Sequence, residues 1–507
     1  MRNTASSWKW IFAVIFIALL LRLLYIPYAK YENETARDII VAKQMIDTRT
    51  LRLVGITGEI SEDSQQQSFG PLYYYFIAAF LIFYRHPYAA VLMVALMSIL
   101  SVALCYIFTR KFFDEKLAFI STSLFAFSPW FLAFVSLNLM TPSLLAPFVI
   151  PLFISLYKII IQREDKYLIL TAVSSAIMLH IHLSAAAIIL TAIVLLVFLR
   201  PSIFLSKWMA WSIASAAVLF VPFFIYNLQH GSLTDVFSFL THRYESSRFE
   251  NLRDSVGIPL MFATTYFGPY LLGSEHVFQS LPLRLAFLFF DLVLALCVIA
   301  GFLLAARYSI EKNRSPLERK KYIILVAWFA LPVLFSVLSG NNISPHYLLI
   351  IYPVQFIFMA LFIKQITRSS ITLQKIAVAS IILGYLLFVI SFFAFISRDG
   401  GTDGIYGIPL EAKISVLQYL RDHDIKQAYF YKNVKKEYKL LGELIYPEIS
   451  LQPLAKIDNT TQGYLILDLY SRANFMEKQL SLEELAFLAK MNTTHVGRVS
   501  IVGLGRS

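Results

Sequence analysis

The chain has 507 residues, of which 58% are hydrophobic and only 15% charged, with a formal net charge of +12. A soluble globular domain carries roughly 25% charged residues. The deficit runs the whole length, so it excludes a water-soluble enzyme and makes lipid the solvent for most of the chain. Lys and Arg mark the cytoplasmic loops of membrane proteins, so the positive balance is read as topology, and no nucleic-acid partner is expected.

The apolar runs are continuous and of helix length, about 20 residues, whereas barrel strands would alternate. Spans are expected at 8–28, 88–109, 117–137, 143–161, 167–182, 183–199, 208–227, 285–306, 322–339, 346–363 and 376–397. The first is too long for a cleavable signal peptide and lacks a small-residue cleavage site after it. Cys105 and Cys297 fall inside apolar runs, so neither a disulfide framework nor a metal cluster is implied.

The stretch 70–84 decides the topology. With it left out of the count and the N-terminus inside, the inner loops 110–116, 162–166, 200–207, 307–321 and 364–375 are all basic. The outer turns 138–142 and 340–345 contain neither Lys nor Arg. A full crossing at 70–84 would turn every basic loop outward, so it is read as a re-entrant or interface-lying helix on the outer face. The expectation is an all-α polytopic membrane protein of about 11 transmembrane helices, integral to the plasma or inner membrane. Residues 1–397 form the membrane module, with large outer segments at 29–87 and 228–284. Residues 398–507 form a small extracytoplasmic α/β domain, with helical runs at 410–422 and 482–490 and strand-like runs at 428–431, 464–467 and 496–502.

Polar motifs gather at the expected outer ends of spans. In the first outer loop Glu34, Arg37 and Asp38 stand at i, i+3 and i+4, one face of a helix, with Ile39, Ala42 and Ile46 as a separate apolar stripe. The competing reading is a solvated face with an ion pair worth about 0–1 kcal/mol. Gly70-Pro71-Leu72-Tyr73-Tyr74-Tyr75 breaks the backbone at the start of an apolar helix, although tyrosines there also suit an interfacial aromatic belt. Further along come Ser128-Pro129-Trp130, Thr141-Pro142-Ser143, His180-Ile181-His182, Pro222 with Tyr226 to Gly231, and Asn342-Ile343-Ser344-Pro345-His346-Tyr347. Histidines at i, i+2 do not share a helix face, so a helical metal pair at 180 and 182 is not expected. Arg243, Arg248 and Arg253 lie in a long outer loop, where they either bind phosphate or are solvated.

Taken in order, these features resemble the GT-C superfamily of membrane glycosyltransferases. They are most similar to the family-39-like group that includes protein O-mannosyltransferases and lipid A aminoarabinose transferases. Glu34-Thr35-Ala36-Arg37 matches the Asp-x-x-Arg spacing of that group's first outer loop, and Gly70 to Tyr75 matches its Gly-Pro-Leu-Tyr-Tyr-Tyr helix. The resemblance spans roughly residues 8–400. It departs at Glu34, where Asp is usual, and at Leu139-Met140-Thr141-Pro142, where some members supply a second Asp. An alternative register puts Asn33 or Glu32 in the catalytic slot, but Arg37 at +3 favours Glu34.

The resemblance implies an inverting transfer from a polyprenyl-phosphate-linked sugar to a glycan, lipid or protein acceptor on the outer face. Glu34 and Arg37 would be catalytic. Asp38, Tyr73, Tyr74, His182, Arg243, Arg248, His346 and Tyr347 would bind substrate or phosphate. No cofactor is called for and metal-independence is expected, with a divalent cation left open. A flippase would show internal repeats and mid-membrane polar breaks, and neither is evident. A non-catalytic assembly subunit working through the C-terminal domain is the third possibility.

Overall fold

The computed structural model describes residues 4–55, 57–58, 67–68, 70–230, 248–267, 280–339, 343–402, 406–431, 436–454, 463–468, 488, 490–496 and 498–504. Its first half contains helices α1 (Thr4–Tyr25), α2 (Asn33–Thr48), α3 (Leu72–Leu81), α4 (Pro87–Phe112), α5 (Glu115–Phe127), α6 (Ala146–Ile160), α7 (Leu168–Ile181), α8 (Ala185–Leu199) and α9 (Lys207–His230). Then come α10 (Arg248–Met261), α11 (Leu281–Ile310), α12 (Pro316–Ser339), α13 (Val354–Ile366) and α14 (Ile371–Asp399). Each expected span coincides with helical backbone. Exposed Phe12, Phe16, Phe198, Trp211, Phe289 and Leu383 give α1, α8, α9, α11 and α14 an apolar outer surface. The chain is an integral membrane protein, and those surfaces suit lipid.

The expected eleven crossings are not equivalent. Among the described residues six helices are long and apolar enough to cross a membrane, or seven if the segments Pro345–Ile351 and Val354–Ile366, bent by 57°, count as one. The α7 and α8 helices, of 14 and 15 residues, rise only about 21–23 Å at 1.5 Å per residue, short of a hydrocarbon core of about 30 Å. Prolines account for two interruptions. After α5, Ser128-Pro129 ends the α-helix and a π-helical turn, Trp130–Val135, follows. Pro353 separates the 3₁₀ segment Pro345–Ile351 from α13.

The two ends of the bundle differ. The loops expected to be inner meet one another: Lys364 pairs with Asp114, and Arg200 with Asp165 at 3.2 Å. Lys321 lies over the Tyr157 ring and Phe113 packs on Tyr322. At the other end Tyr28 bonds Ser397 at 3.1 Å, and the Tyr88 hydroxyl meets Glu411 of the C-terminal domain. Both ends of the segment joining α1 to α4 therefore lie on one side, and α3, ten residues or about 15 Å long, returns without crossing. A short hairpin of β1 (Thr57–Gly58) and β2 (Gln67–Ser68) belongs to this segment.

The C-terminal domain adds α15 (Leu410–Asp422), α16 (Lys436–Ile445) and a five-stranded sheet of order β4-β3-β5-β7-β6. Its strands are β3 (Gln427–Tyr431), β4 (Ser450–Leu454), β5 (Gly463–Asp468), β6 (Thr493–Val496) and β7 (Val499–Leu504). Strand β3 runs parallel to β4 and β5, and β7 antiparallel to β5 and β6. The run expected as one strand at 496–502 is instead a hairpin, with Val496 opposite Val499. Most of the helical run expected at 482–490 lies outside the described residues, as does Asn342.

Candidate active site

The α2 helix brings the first group together. Thr35, Asp38, Ile39 and Ala42, at i, i+3, i+4 and i+7, are its buried face, and the Thr35 hydroxyl donates to the Leu139 carbonyl at 3.3 Å. Asp38 thus belongs to the inward stripe and not to a separate charged one, a correction to the face expected from its spacing to Glu34. Arg37 bridges the two sides. Its Nε and Nη2 both donate to Asp38 Oδ1 at 2.9 Å, and its side chain stays 42% exposed while that of Asp38 is 3% exposed. Glu34, one turn earlier, is exposed. It stands close enough to act electrostatically on both Arg37 and Asp38. It also lies in the first turn of α2, where the helix dipole favours a carboxylate.

Burial pushes the Asp38 carboxyl up to about 7, with the Arg37 charge and hydrogen bonds working against the rise. The Tyr74 hydroxyl completes its surroundings at 3.5 Å from Oδ1. Tyr73 is buried beside it, the two rings 6.1 Å apart. The Gly70-Pro71 start of α3 has a steric cause. A Cβ on Gly70 would lie 1.6 Å from His180 Nδ1, so only glycine lets the turn seat on the end of α7.

The histidines diverge as their spacing requires. His180 is buried beneath Gly70 and packs on Phe220, ring centroids 4.3 Å apart. His182 turns to the start of the broken 3₁₀–α13 segment, 5.9 Å from His346 and 5.6 Å from Tyr347 between centroids. The Ser184 backbone N–H donates to His182 Nδ1 at 3.1 Å. An Nδ1 that accepts leaves the proton of the neutral ring on Nε2. His346 Nδ1 bonds the Ser344 hydroxyl at 3.0 Å. Among the described residues no three His, Cys, Asp or Glu side chains gather as a metal site.

Of the three arginines singled out in the long outer loop, only one has a described side chain. Arg243 and the Arg248 side chain lie outside what the structure describes, and Arg253 is exposed and pairs with Asp254 at 2.8 Å. The sequence reading missed Arg22, fully buried in α1. Its guanidinium donates to Ser98, Ser136 and the carbonyls of Ala18 and Ala126 at 2.7–3.2 Å, pinning α1 to α4 and to the turn after α5. A lone Arg inside an apolar run was the available signal. The Ser128-Pro129-Trp130 motif is structural in the same way: the Ser128 hydroxyl and the Trp130 indole donate to the carbonyls of Phe262 and Tyr266 at 3.2 and 3.0 Å.

A family model described as dolichyl-phosphate-mannose-protein mannosyltransferase matches residues 68–226, which hold the Gly70–Tyr75, Ser128–Trp130 and His180–His182 motifs. Among solved structures, ArnT from Cupriavidus metallidurans in the apo state superposes with a TM-score of 0.58 over 98% of both chains at 11% identity. The chain has the GT-C fold. The oligosaccharyltransferase of Archaeoglobus fulgidus in the apo form is also similar, with a TM-score of 0.51 and 14% identity over 91% of this chain and 70% of that one. No curated protein matches the sequence at a significant level. Within the GT-C fold of this chain, Glu34, Arg37, Asp38 and Tyr74 form one cluster, and His182, His346 and Tyr347 a second.

Proposed function

We propose that the chain is an inverting glycosyltransferase that moves a sugar from a polyprenyl-phosphate donor to an acceptor on the outer face of the membrane. The observation that carries this reading is the division of labour on α2, where an exposed carboxylate stands one turn from an arginine fixed from behind by a buried one. The GT-C fold and the family match at 68–226 support the donor class. The expected inner loops, all basic, lie at the other end of the bundle and support the outward placement.

In the proposed reaction an acceptor hydroxyl or amine attacks C1 of the sugar while Glu34 takes its proton. The bond between C1 and the phosphate oxygen breaks, and the electron pair leaves with the polyprenyl phosphate. Arg37 faces the developing negative charge, where a preorganised cation acts most strongly. Asp38 is too buried to meet a substrate. Its task, with Tyr74, is to hold Arg37. His182, through Nε2–H, and His346 with Tyr347 contact the sugar or its phosphate. Direct displacement by one acceptor inverts the anomeric centre.

The test is incubation of the purified protein in nanodiscs with a panel of labelled polyprenyl-phosphate sugars and outer-envelope acceptors. Sugar release or transfer from one member of the panel supports the proposal. Binding without turnover across the panel contradicts it and favours a transporter or assembly subunit.

A further inference from the structure

The C-terminal domain grips the entry to α2 at several consecutive residues. The Tyr406 hydroxyl donates to the Tyr28 carbonyl, and the Leu410 N–H to the Ala29 carbonyl at 2.9 Å. Lys30 lies between Asn138 of the bundle and Pro409 of the domain, bridged to both. The Lys413 ammonium donates to the Tyr31 carbonyl at 2.8 Å and to Glu437 Oε1 at 3.3 Å. The backbone N–H of Glu437 donates to the Asn33 side-chain oxygen at 2.9 Å.

The pair at the centre of this grip is costly in isolation. Lys413 and Glu437 are 4% and 8% exposed, and Glu437 Oε2 is buried without a hydrogen-bond partner among the described residues. A buried ion pair of this kind is weak evidence for stability, and fixing one geometry is its better-attested use. What this pair fixes is the turn that enters α2: Tyr31 and Asn33 lie three and one residues before Glu34. The N-cap position itself, Glu32, makes no side-chain cap bond, so the domain supplies the restraint that a capping side chain would otherwise give.

We propose that the C-terminal domain is a positioning element for the catalytic helix, and that Lys413 and Glu437 are positioning residues that set the placement of Glu34 and Arg37 through Tyr31 and Asn33. This rests on the reading of α2 as the catalytic helix. The domain's role is then neither acceptor binding nor simple cover, and its attachment tunes turnover.

The test compares Glu437→Gln, Lys413→Arg and Asn33→Ala with the wild type in the full-length protein in nanodiscs. Hydrogen exchange over residues 31–41 is measured together with the steady-state constants for a polyprenyl-phosphate sugar. In Asn33→Ala, which removes the acceptor of the Glu437 N–H, and in Glu437→Gln, which leaves the buried Lys413 ammonium without its counter-charge, exchange over 31–41 rises about tenfold. Exchange in α4 does not change. In the same variants kcat falls about tenfold while the donor KM stays within about twofold, and Lys413→Arg, which keeps the charge, retains most of the turnover. Unchanged exchange over 31–41, or raised exchange with unaltered kcat, overturns the proposal. A rise in donor KM at constant kcat overturns it too and returns the domain to substrate binding. If Glu34→Gln remains fully active while Glu437→Gln raises exchange, the grip on α2 stands and the catalytic reading beneath it falls.

Discussion

Replacing Asp38 by Asn tests the site through two readouts of opposite sign. The folded-state value of about 7 against an ordinary 3.8 corresponds to about 4 kcal/mol at 1.36 kcal/mol per pH unit. The group sits above its unfolded value, so its contribution to stability is complete below about pH 4 and lost as pH rises to about 7. The wild type should therefore lose stability across pH 4–7, and Asp38→Asn should lose less. Turnover should run the other way. Only ionised Asp38 holds Arg37 by a charge-assisted pair, so kcat/KM should rise through about pH 7. In Asp38→Asn that limb should vanish. The plateau should fall about 10- to 150-fold, the equivalent of a lost charged hydrogen bond of about 1.5–3 kcal/mol. The assays are a pH–rate profile with a labelled lipid-phosphate sugar and thermal unfolding at matched pH. Full turnover in Asp38→Asn, or an acid limb that persists near pH 7, would refute the assignment of Asp38 as the anchor of Arg37.

Gly70→Ala forces a Cβ into His180 Nδ1 and should cost about 1–3 kcal/mol as an overpacked core does, read as a lowered melting temperature that His180→Ala partly restores. His182→Ala should raise the donor KM severalfold with a smaller change in kcat, and a pure kcat defect would argue against a role in substrate binding. Asp291 accepts both the N–H and the hydroxyl of Thr265, at 2.7 and 2.8 Å. It thereby pins the loop whose carbonyls receive Ser128, Trp130 and Tyr385. Asp291→Ala should destabilise the protein by about 1–3 kcal/mol for those unsatisfied groups, seen in thermal unfolding, and an unchanged midpoint would show that the loop holds without it.

The membrane architecture was legible because hydropathy and Lys/Arg placement are local properties. The basic loops at 110–116 and 364–375 do meet, through Asp114 and Lys364, and 70–84 does return on one side. The Gly70-Pro71 turn was legible as a break, but its cause, the His180 ring, lies over a hundred residues away. Asp38 shows where spacing alone falls short. Positions 34, 37 and 38 sit close enough on a helix to be read as one stripe, and only packing against Leu139 and α3 decides that 38 turns inward while 34 stays out. The grip of Lys413 and Glu437 on Tyr31 and Asn33 joins residues some 400 apart in sequence. Nothing local marks either as more than a domain-core ion pair. The breaks at Pro129 and Pro353 were visible as prolines but not as shortened or bent spans, because a window average smooths over a single helix-ending residue.

The central claim is that Glu34 removes the acceptor's proton. Single-turnover transfer from a radiolabelled polyprenyl-phosphate sugar, run side by side with wild type and Glu34→Gln at saturating donor, measures it most directly. Glu34→Gln should bind the donor as tightly as wild type and transfer it about 10²- to 10⁴-fold more slowly, the range expected for loss of a general base. Transfer by Glu34→Gln at a rate near that of wild type would contradict the account.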